Sequence, residues 1–181
     1  MIYLIYPDKK EVCDMKNIVL IGMPGCGKST CGVLAAKLCC KKFIDTDLVI
    51  QHGEGMRLQE IINKKGADYF AGCEEKWVCS VDEQNCVIAT GGSVVYSERS
   101  MKHLKSIGSV IYLKISLECM KKRIRNLQTR GILLKDGYTL EDMYNERCAL
   151  YEKYADIIID CDNVHSVEQT AQKIVDSACR D

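Results

Sequence analysis

Residues 22–29 read Gly-Met-Pro-Gly-Cys-Gly-Lys-Ser, which are the residue types and the spacing of a phosphate-binding loop. Its glycines allow successive backbone N–H groups to point at an anion, and the positive end of a following helix adds to the attraction. Lys28 would reach the outer phosphates of a nucleotide, and the Ser29 hydroxyl would bind Mg²⁺. An ordinary glycine-rich turn is the alternative, but it leaves the adjacent lysine and serine unexplained. We therefore predict a nucleotide site made of Gly25, Cys26, Gly27, Lys28, Ser29 and Thr30.

Two carboxylates follow the next apolar segment, Phe43-Ile44. Asp45 can bind Mg²⁺ directly or through water. If the chain stays extended there, Asp47 points to the same side and can accept or orient the proton of an attacking hydroxyl. The alternative is that Asp47 only caps a helix beginning at Leu48, although a cap alone does not require Asp45 as well.

A pair of glycines and an arginine extend the predicted site. Gly91 and Gly92 directly follow the apolar run 86–89 and would let a ligand approach the backbone, although a simple turn explains them equally well. Arg130 lies in residues 127–137, which have no sustained hydrophobic period and which we predict to be a mobile lid. Its guanidinium would neutralise the charge that develops during phosphoryl transfer. Exposed loop arginines are common, so this role is an expectation from position alone.

Arg147 falls on the apolar stripe of a predicted amphipathic helix at 140–154. A guanidinium that points inward needs an anionic partner. Either a buried carboxylate of the protein or the carboxylate of a substrate, held by two parallel hydrogen bonds, can fill that role. The spacing leaves both alternatives open.

The elements that must position these residues alternate between strands and helices. We predict strands at 18–21, 43–44, 86–89, 109–115 and 157–159, and helices at 29–40, 48–53, 57–65, 69–83, 98–107, 117–126, 140–154 and 166–179. This alternation predicts an α/β fold, a three-layer sandwich with a five-stranded parallel sheet between helices. Ligands in such sheets bind at the carboxyl ends of the strands, where segments 22–29, 45–47, 90–93 and 127–137 would meet.

Composition limits the classes of protein. The chain has 181 residues, of which 47% are hydrophobic, so disorder is excluded for most of it. Its 25 basic and 25 acidic residues cancel, which gives no electrostatic reason to expect a nucleic-acid partner. No apolar run is long enough to span a membrane. The twelve cysteines form no C-x-x-C pair, so we expect core thiols in a reducing cytoplasm and no zinc.

The chain divides into an N-terminal extension at 1–14 and one domain at 15–181. The extension is an added edge strand or an artefact of the start site, and the sequence favours neither. We expect the domain to be a monomer that acts on a small molecule.

Together these motifs resemble the shikimate kinase family over about residues 15–178. The matching segments are G-M-P-G-C-G-K-S-T at 22–30, F-I-D-T-D at 43–47, T-G-G at 90–92, T-R-G at 129–131 and E-R-C-A-L-Y at 146–151. The resemblance implies a fold like that of nucleoside monophosphate kinases, with strand order 2-3-1-4-5. It implies phosphoryl transfer from ATP, with Mg²⁺, to a small hydroxylated acid, most directly shikimate, as a step of aromatic amino acid biosynthesis.

The resemblance also implies roles for single residues. Catalysis would fall to Lys28, Asp47 and Arg130, and the metal to Ser29 and Asp45. Arg123 would pack on adenine. The acceptor would be held by Asp47, Gly91, Gly92 and Arg147, of which Arg147 would bind its carboxylate.

The acceptor side departs from the family pattern. Ala71 stands where the family has a second carboxylate-binding arginine, and Ser93 replaces the third glycine of its triplet. Arg57 is a possible substitute for the missing arginine, but the sequence does not show that it reaches the pocket. A cationic group near Arg147 would favour shikimate, whereas an apolar wall would oppose it.

Other functions therefore stay open. The acceptor could be a different polyol, sugar acid or hydroxy amino acid, and the chain could bind nucleotide without transferring phosphate. A nucleoside monophosphate kinase is less suitable, because it needs arginines for an acceptor phosphate and segment 45–93 contains only Arg57.

Overall fold

A computed structural model describes residues 16–124, 137–162 and 166–178. The strands are β1 (Asn17–Ile21), β2 (Lys42–Asp45), β3 (Cys86–Ala89), β4 (Gly108–Lys114) and β5 (Ile157–Asp160). The helices are α1 (Lys28–Leu38), α2 (Thr46–Glu54), α3 (Leu58–Lys65), α4 (Ala67–Val78), α5 (Glu98–Ile107), α6 (Leu117–Arg123), α7 (Leu140–Tyr154) and α8 (Val167–Ala178). A short 3₁₀ helix, Val94–Tyr96, follows β3. The N-terminal extension predicted at 1–14 and the predicted lid residue Arg130 lie outside the described ranges.

The five strands form one parallel sheet in the order β2-β3-β1-β4-β5, which confirms the predicted topology. In β1, Val19 pairs with Ile88 of β3 on one side and with Val110 of β4 on the other. All five residues of β1 and all four of β3 are buried, so helices cover both faces of the sheet. This is the three-layer arrangement that continuous apolar strands predict.

A second, smaller core lies apart from the sheet. Its buried residues come from helices α2, α3 and α4, and Met56, Leu58, Ile62 and Trp77 pack against them. We call these three helices, residues 46–78, the helical insertion. The buried members are Ile50, Ile61, Phe70 and Cys73.

Several predicted boundaries are wrong. Helix α4 ends at Val78 and not at Glu83, because the Ser80 hydroxyl donates to the Trp77 carbonyl at 2.8 Å and the chain turns away there. Gly53 does not break a helix. It lies inside α2 against the Trp77 ring, at a point where a Cβ would overlap the indole.

The thiols follow the core expectation in part. Ten cysteines fall in the described ranges; all are free, and five of them are buried. None of the helices in this part of the chain combines the length and the apolar character needed to span a bilayer.

Candidate active site

A cleft of about 1360 Å³ opens where β1 and β3 end and the helical insertion begins. The phosphate loop, residues 22–29, forms one side, and the helical insertion with the segment after β3 forms the other. Helices α6 and α7 also contribute. The lining residues are Pro24, Gly25, Gly27, Lys28, Ser29, Thr30, Asp47, Gln51, Arg57, Leu58, Gln59, Glu60, Phe70, Glu74, Thr90, Gly91, Gly92, Ser93, Lys122, Arg123 and Arg147.

The phosphate loop takes its shape from glycines in conformations that other residues rarely adopt. Gly22 has φ 144°, and a Cβ there would lie 2.7 Å from the Leu113 carbonyl oxygen. Gly27 has φ 101° and is the N-cap of α1, with no side chain to close the helix end. The free N–H groups at this end therefore face the cleft, as an anion site requires.

Lys28 is buried beneath the loop, with 8% of its surface exposed. Its Nζ donates to the carbonyl oxygens of Gly22 at 2.7 Å and Met23 at 3.0 Å, which holds the positive charge against the loop backbone. Cys26 is buried and does not line the cleft, and its N–H bonds to the Met23 carbonyl at 3.1 Å. Its predicted part in nucleotide binding stays a prediction.

The two aspartates do not share an extended strand. Helix α2 begins at Thr46, and Asp45 is its N-cap, with Oδ1 accepting from the Asp47 N–H at 3.0 Å. The alternative that Asp47 caps a helix starting at Leu48 is therefore wrong. Asp47 lines the cleft, whereas Asp45 is half-buried and does not. A metal ligand at Asp45 stays a prediction.

The carboxyl group of Asp47 has an unusual environment. Its pKa is raised to about 6, mainly by burial and also by the neighbouring Asp45 charge, while Lys28 acts to lower it. A group that titrates near neutral pH can accept a proton from a hydroxyl and release it again.

Glu74, from α4, brings a second buried carboxyl group to the cleft, with 4% of its surface exposed. Its Oε1 has no hydrogen-bond partner among the described residues. Burial raises the pKa of Glu74 to about 7; the hydrogen bond with Ser93 lowers it, Asp47 raises it, and Arg147 lowers it. The helix pattern contained a signal for this site, since Glu74 lies four residues after the buried Phe70 on an apolar face.

The end of β3 is fixed by hydrogen bonds that leave room for a ligand. The Thr90 hydroxyl donates to the Leu20 carbonyl at 2.9 Å, and the Gly91 N–H donates to the Thr46 hydroxyl at 3.3 Å. A Cβ at Gly91 would overlap the Glu74 carboxylate, and one at Gly92 would lie 3.0 Å from Pro24. Neither glycine therefore has room for a side chain, and the predicted approach of a ligand to them stays a prediction.

Arg147 is 3% exposed on α7, which confirms its inward position. Its guanidinium lies 5.2 Å from the centre of the Tyr96 ring, and Nε donates to the Tyr96 hydroxyl at 3.3 Å. The Tyr151 hydroxyl, one turn further along α7, donates to the Gly92 carbonyl at 2.6 Å. Sequence reasoning missed both tyrosines, because their contacts join segments more than 50 residues apart.

The remaining predicted arginines lie at two ends of the cleft. Arg123, at the end of α6, lines the cleft and lies beside the phosphate loop. A Cβ added to Gly25 would lie 3.5 Å from the Cβ of Arg123. Arg57, just before α3, lines the acceptor side, which the sequence alone did not establish. Ala71 is exposed and contributes nothing to the lining.

The residues that line the cleft suit a nucleoside triphosphate with a hydrated metal ion. The glycine loop supplies N–H groups, Lys28 supplies charge, and Ser29 supplies a hydroxyl on the cleft surface. The described residues contain no cluster of three or more metal-binding side chains. Proteins usually bind Mg²⁺ through one or two side chains together with phosphates and water, and the Ser29 hydroxyl is a group of that kind.

Comparisons with known proteins agree with this geometry. A family model described as shikimate kinase matches residues 24–179. The shikimate kinase of Clostridium botulinum (strain 657) is 39% identical over 157 residues, covering 84% of this chain and 92% of that protein. That of Thermodesulfovibrio yellowstonii is 37% identical over 164 residues, covering 89% and 94%.

Solved structures extend the agreement to the whole fold. The shikimate kinase from Acinetobacter baumannii in complex with shikimate superposes with a TM-score of 0.83 at 29% identity, covering 90% of this chain and 92% of that one. A gluconokinase from Sinorhizobium meliloti shares only the fold, with a TM-score of 0.55 at 13% identity. Since the matches span most of the chain and the cleft joins a phosphate loop to an inward arginine, this chain belongs to the shikimate kinase family and is an ATP-dependent small-molecule kinase.

Proposed function

We propose that this chain transfers the terminal phosphoryl group of ATP to a hydroxyl of shikimate, giving shikimate 3-phosphate. One observation carries the proposal: a single cleft joins Lys28 of the phosphate loop to Asp47 and Arg147. These are the three kinds of group that a phosphate donor, an attacking hydroxyl and an acceptor carboxylate require. The relative from Acinetobacter baumannii, which was solved with shikimate, supports the choice of acceptor.

The nucleotide side would act by positioning and charge. ATP, with Mg²⁺, supplies the phosphoryl group that is transferred. The N–H groups of the phosphate loop and the Lys28 ammonium would bind phosphate oxygens, and the Ser29 hydroxyl and Asp45 would hold the metal. Arg123 covers the adenine, and Arg130 closes over the phosphates. Groups fixed before the reaction need no reorganisation as charge develops, which is the main source of catalysis in phosphoryl transfer.

Asp47 would orient the acceptor. Its carboxylate would accept a hydrogen bond from the attacking hydroxyl and take up the proton as the new O–P bond forms and the bond between the γ-phosphorus and the bridging oxygen breaks, with ADP as the leaving group. Gly91 and Gly92 allow the ring of the acceptor to lie against the backbone. Arg147, with its ring contact to Tyr96 fixing the plane of the guanidinium, binds the carboxylate through paired hydrogen bonds.

We further propose a monomer that acts in the cytoplasm on small molecules, without nucleic-acid or membrane partners. The balanced charge of 25 basic and 25 acidic residues supports the absence of a nucleic-acid partner. Light scattering on the eluting protein checks the oligomeric state, and a dimer mass would overturn it.

The test is ADP release with Mg²⁺, ATP and millimolar shikimate, compared with gluconate and a hydroxy amino acid. We expect turnover with shikimate and loss of about 10²–10⁴-fold in kcat for Asp47→Asn, since a positioned acid or base contributes that much. Asp68→Asn, an exposed acid on α4, is the matched control and should keep full activity.

Two results would contradict the proposal. Turnover of another acceptor but not of shikimate would replace the substrate and leave the kinase chemistry. ATP binding without ADP release for any acceptor would instead make the chain a nucleotide-binding protein.

A further inference from the structure

We propose that Arg57 supplies, together with Arg147, the positive charge that binds the acceptor's carboxylate. This inference rests on the proposed function and names a residue that determines its specificity. It is carried by the position of Arg57 on the cleft surface, the contacts that fix its backbone, and the negative charge of the cleft wall around it.

The backbone of Arg57 is held in place. Arg57 is the N-cap of α3 in extended conformation, and its N–H donates to the Glu60 carboxylate at 3.1 Å. Its carbonyl accepts the N–H groups of Glu60 at 2.9 Å and Ile61 at 3.0 Å. Ile61 is fully buried in the small core of the helical insertion, so these contacts anchor the start of α3. A side chain on such an anchored residue leaves the backbone in a fixed direction.

The guanidinium of Arg57 is available to a ligand. Arg57 is exposed and lines the cleft, and in the described ranges its side chain makes no hydrogen bond and no ion pair. Glu60 accepts the Arg57 N–H and pairs with Lys64 at 3.5 Å, and the charge of Arg57 is the smallest of the causes that lower the pKa of Glu60. Arginine is the side chain best suited to bind a carboxylate through two parallel hydrogen bonds.

The charges of the acceptor side require more than one cation. Asp47 and Glu74 both line this part of the cleft, and the charge of Asp47 raises the pKa of Glu74. An anionic acceptor entering beside these carboxyl groups is repelled unless positive charge outweighs them. Arg147 is one such charge, and among the described residues Arg57 is the other arginine on the acceptor side of the cleft.

Helix α4 cannot supply that second cation. It lines the cleft with Phe70 and Glu74, and Ala71, one turn before Glu74 on the same side of the helix, ends at a methyl group. The charge must therefore come from a neighbouring element, and α3 packs directly on α4.

The test compares an acid with its neutral ester in two variants. Initial rates are measured with shikimate and with its methyl ester for the wild-type protein, Arg57→Ala and Arg57→Lys. Arg99→Ala, an exposed arginine on α5 outside the cleft, is the matched control. For Arg57→Ala we expect the KM for shikimate to rise about 10- to 100-fold, the loss of one charge-assisted hydrogen bond. The KM for ATP and for the ester should not change, and Arg57→Lys should fall between wild type and Arg57→Ala.

Each outcome separates this inference from the proposed function. A rise in KM for acid and ester alike would mean that Arg57 only supports the fold. No rise in KM beyond that of the Arg99→Ala control would mean that Arg57 does not contact the carboxylate. Either result overturns the inference and leaves wild-type turnover of shikimate in place. Absence of wild-type turnover with shikimate would overturn the proposed function itself.

Discussion

The two sides of the cleft are supported by different kinds of packing. The phosphate loop joins β1 to α1, and the residues beneath it belong to the main core around the sheet, where Ile21 and Met23 are fully buried. The acceptor side depends on the helical insertion, whose own core has four buried residues. Side chains in a large core have little freedom, whereas a small core leaves its helices easier to open.

The two sides also differ in how far apart their residues lie in the sequence. The phosphate loop obtains its shape and its charge from eight consecutive residues. The acceptor side draws Asp47 from α2, Glu74 from α4, Gly92 from the end of β3 and Arg147 from α7. In a site assembled from several elements, a charge that one element lacks can come from another, as we propose for Arg57 in place of a cation at position 71.

The largest effect should follow from removing the charge beneath the phosphate loop. Lys28→Met keeps the length of the side chain but loses the donor that bonds the Gly22 and Met23 carbonyls at 2.7 and 3.0 Å. We expect kcat to fall about 10²–10³-fold, as for other fixed charge-stabilising donors. Lys37→Met, an exposed lysine on the same helix, should keep full activity. Activity within threefold of wild type for Lys28→Met would show that the loop does not bind the transferred phosphate.

The buried acid on the opposite side should give a large effect that depends on pH. Because the folded-state pKa of Glu74 is about 7, raised from 4.5 mainly by burial, the folded protein binds a proton more tightly than the unfolded chain between these values. The contribution of Glu74 to stability is therefore fully present below about pH 4.5 and is lost as the pH rises through about 7. Glu74→Gln removes this loss. The free energy of unfolding of the variant minus that of wild type should therefore be roughly 3 kcal/mol larger at pH 8 than at pH 4.

Urea unfolding at the two pH values measures the gain. Glu75→Gln, at the next position on α4 and outside the cleft, is the control. Equal behaviour of the two variants would mean that Glu74 is hydrated and ionised at neutral pH in the folded protein.

Sequence patterns predicted the sheet side well because its signals are local. Continuous apolar runs gave β1 and β3, the glycine spacing gave the phosphate loop, and the apolar stripe of α7 gave the inward Arg147. The predicted end of helix α4 lies five residues too late, because the hydrophobic pattern continues past the turn in which the Ser80 hydroxyl bonds the Trp77 carbonyl.

The acceptor side was harder to predict, because its residues come from several elements that lie far apart in the sequence. Whether Arg57 reaches the cleft depends on how α3 packs against α4, and no spacing within either helix contains that information. The extended Asp45–Asp47 geometry was wrong because Asp45 caps α2, which begins at Thr46, two residues earlier than predicted. The partners of Arg147 and Gly92, Tyr96 and Tyr151, were missed because tertiary contacts alone bring them together.

A smaller effect should follow from filling the space between the two sides. In Gly91→Ala the new methyl group meets the Glu74 carboxylate and lies 3.0 Å from Asp47 Oδ1, so one of the two carboxyl groups must move. We expect a loss of about 1–3 kcal/mol in the free energy of unfolding, typical of an overpacked core, and a higher KM for the acceptor. Gly72→Ala, on α4 with nothing within 4 Å of the added Cβ, should instead gain roughly 0.5–1 kcal/mol. Equal free energies of unfolding in urea for Gly91→Ala and Gly72→Ala would show that the residues around the end of β3 can move to accept the methyl group without a cost in stability.

The smallest effect should be confined to the helical insertion. Glu54, the last residue of α2, accepts hydrogen bonds from the Trp77 indole at 3.0 Å and the Tyr69 hydroxyl at 2.9 Å, which ties α2 to α4. The indole hydrogen bond is the main reason that the pKa of Glu54 is lowered from 4.5 to about 2. A carboxyl group with a lowered pKa stabilises the fold above its ordinary pKa and loses that contribution as the pH falls towards 2.

Glu54→Gln keeps the shape of the side chain but removes its charge. We therefore expect faster hydrogen exchange at amides of α2 and α4 near pH 7, no change at amides of β1 and β3, and a smaller difference from wild type as the pH falls below 4. Glu98→Gln, which loses an exposed pair with Lys102 on α5, is the control and should leave the helical insertion unchanged. If exchange rises equally in the sheet, the insertion does not open separately, and the contrast between the two sides of the cleft is one of chemistry and not of stability.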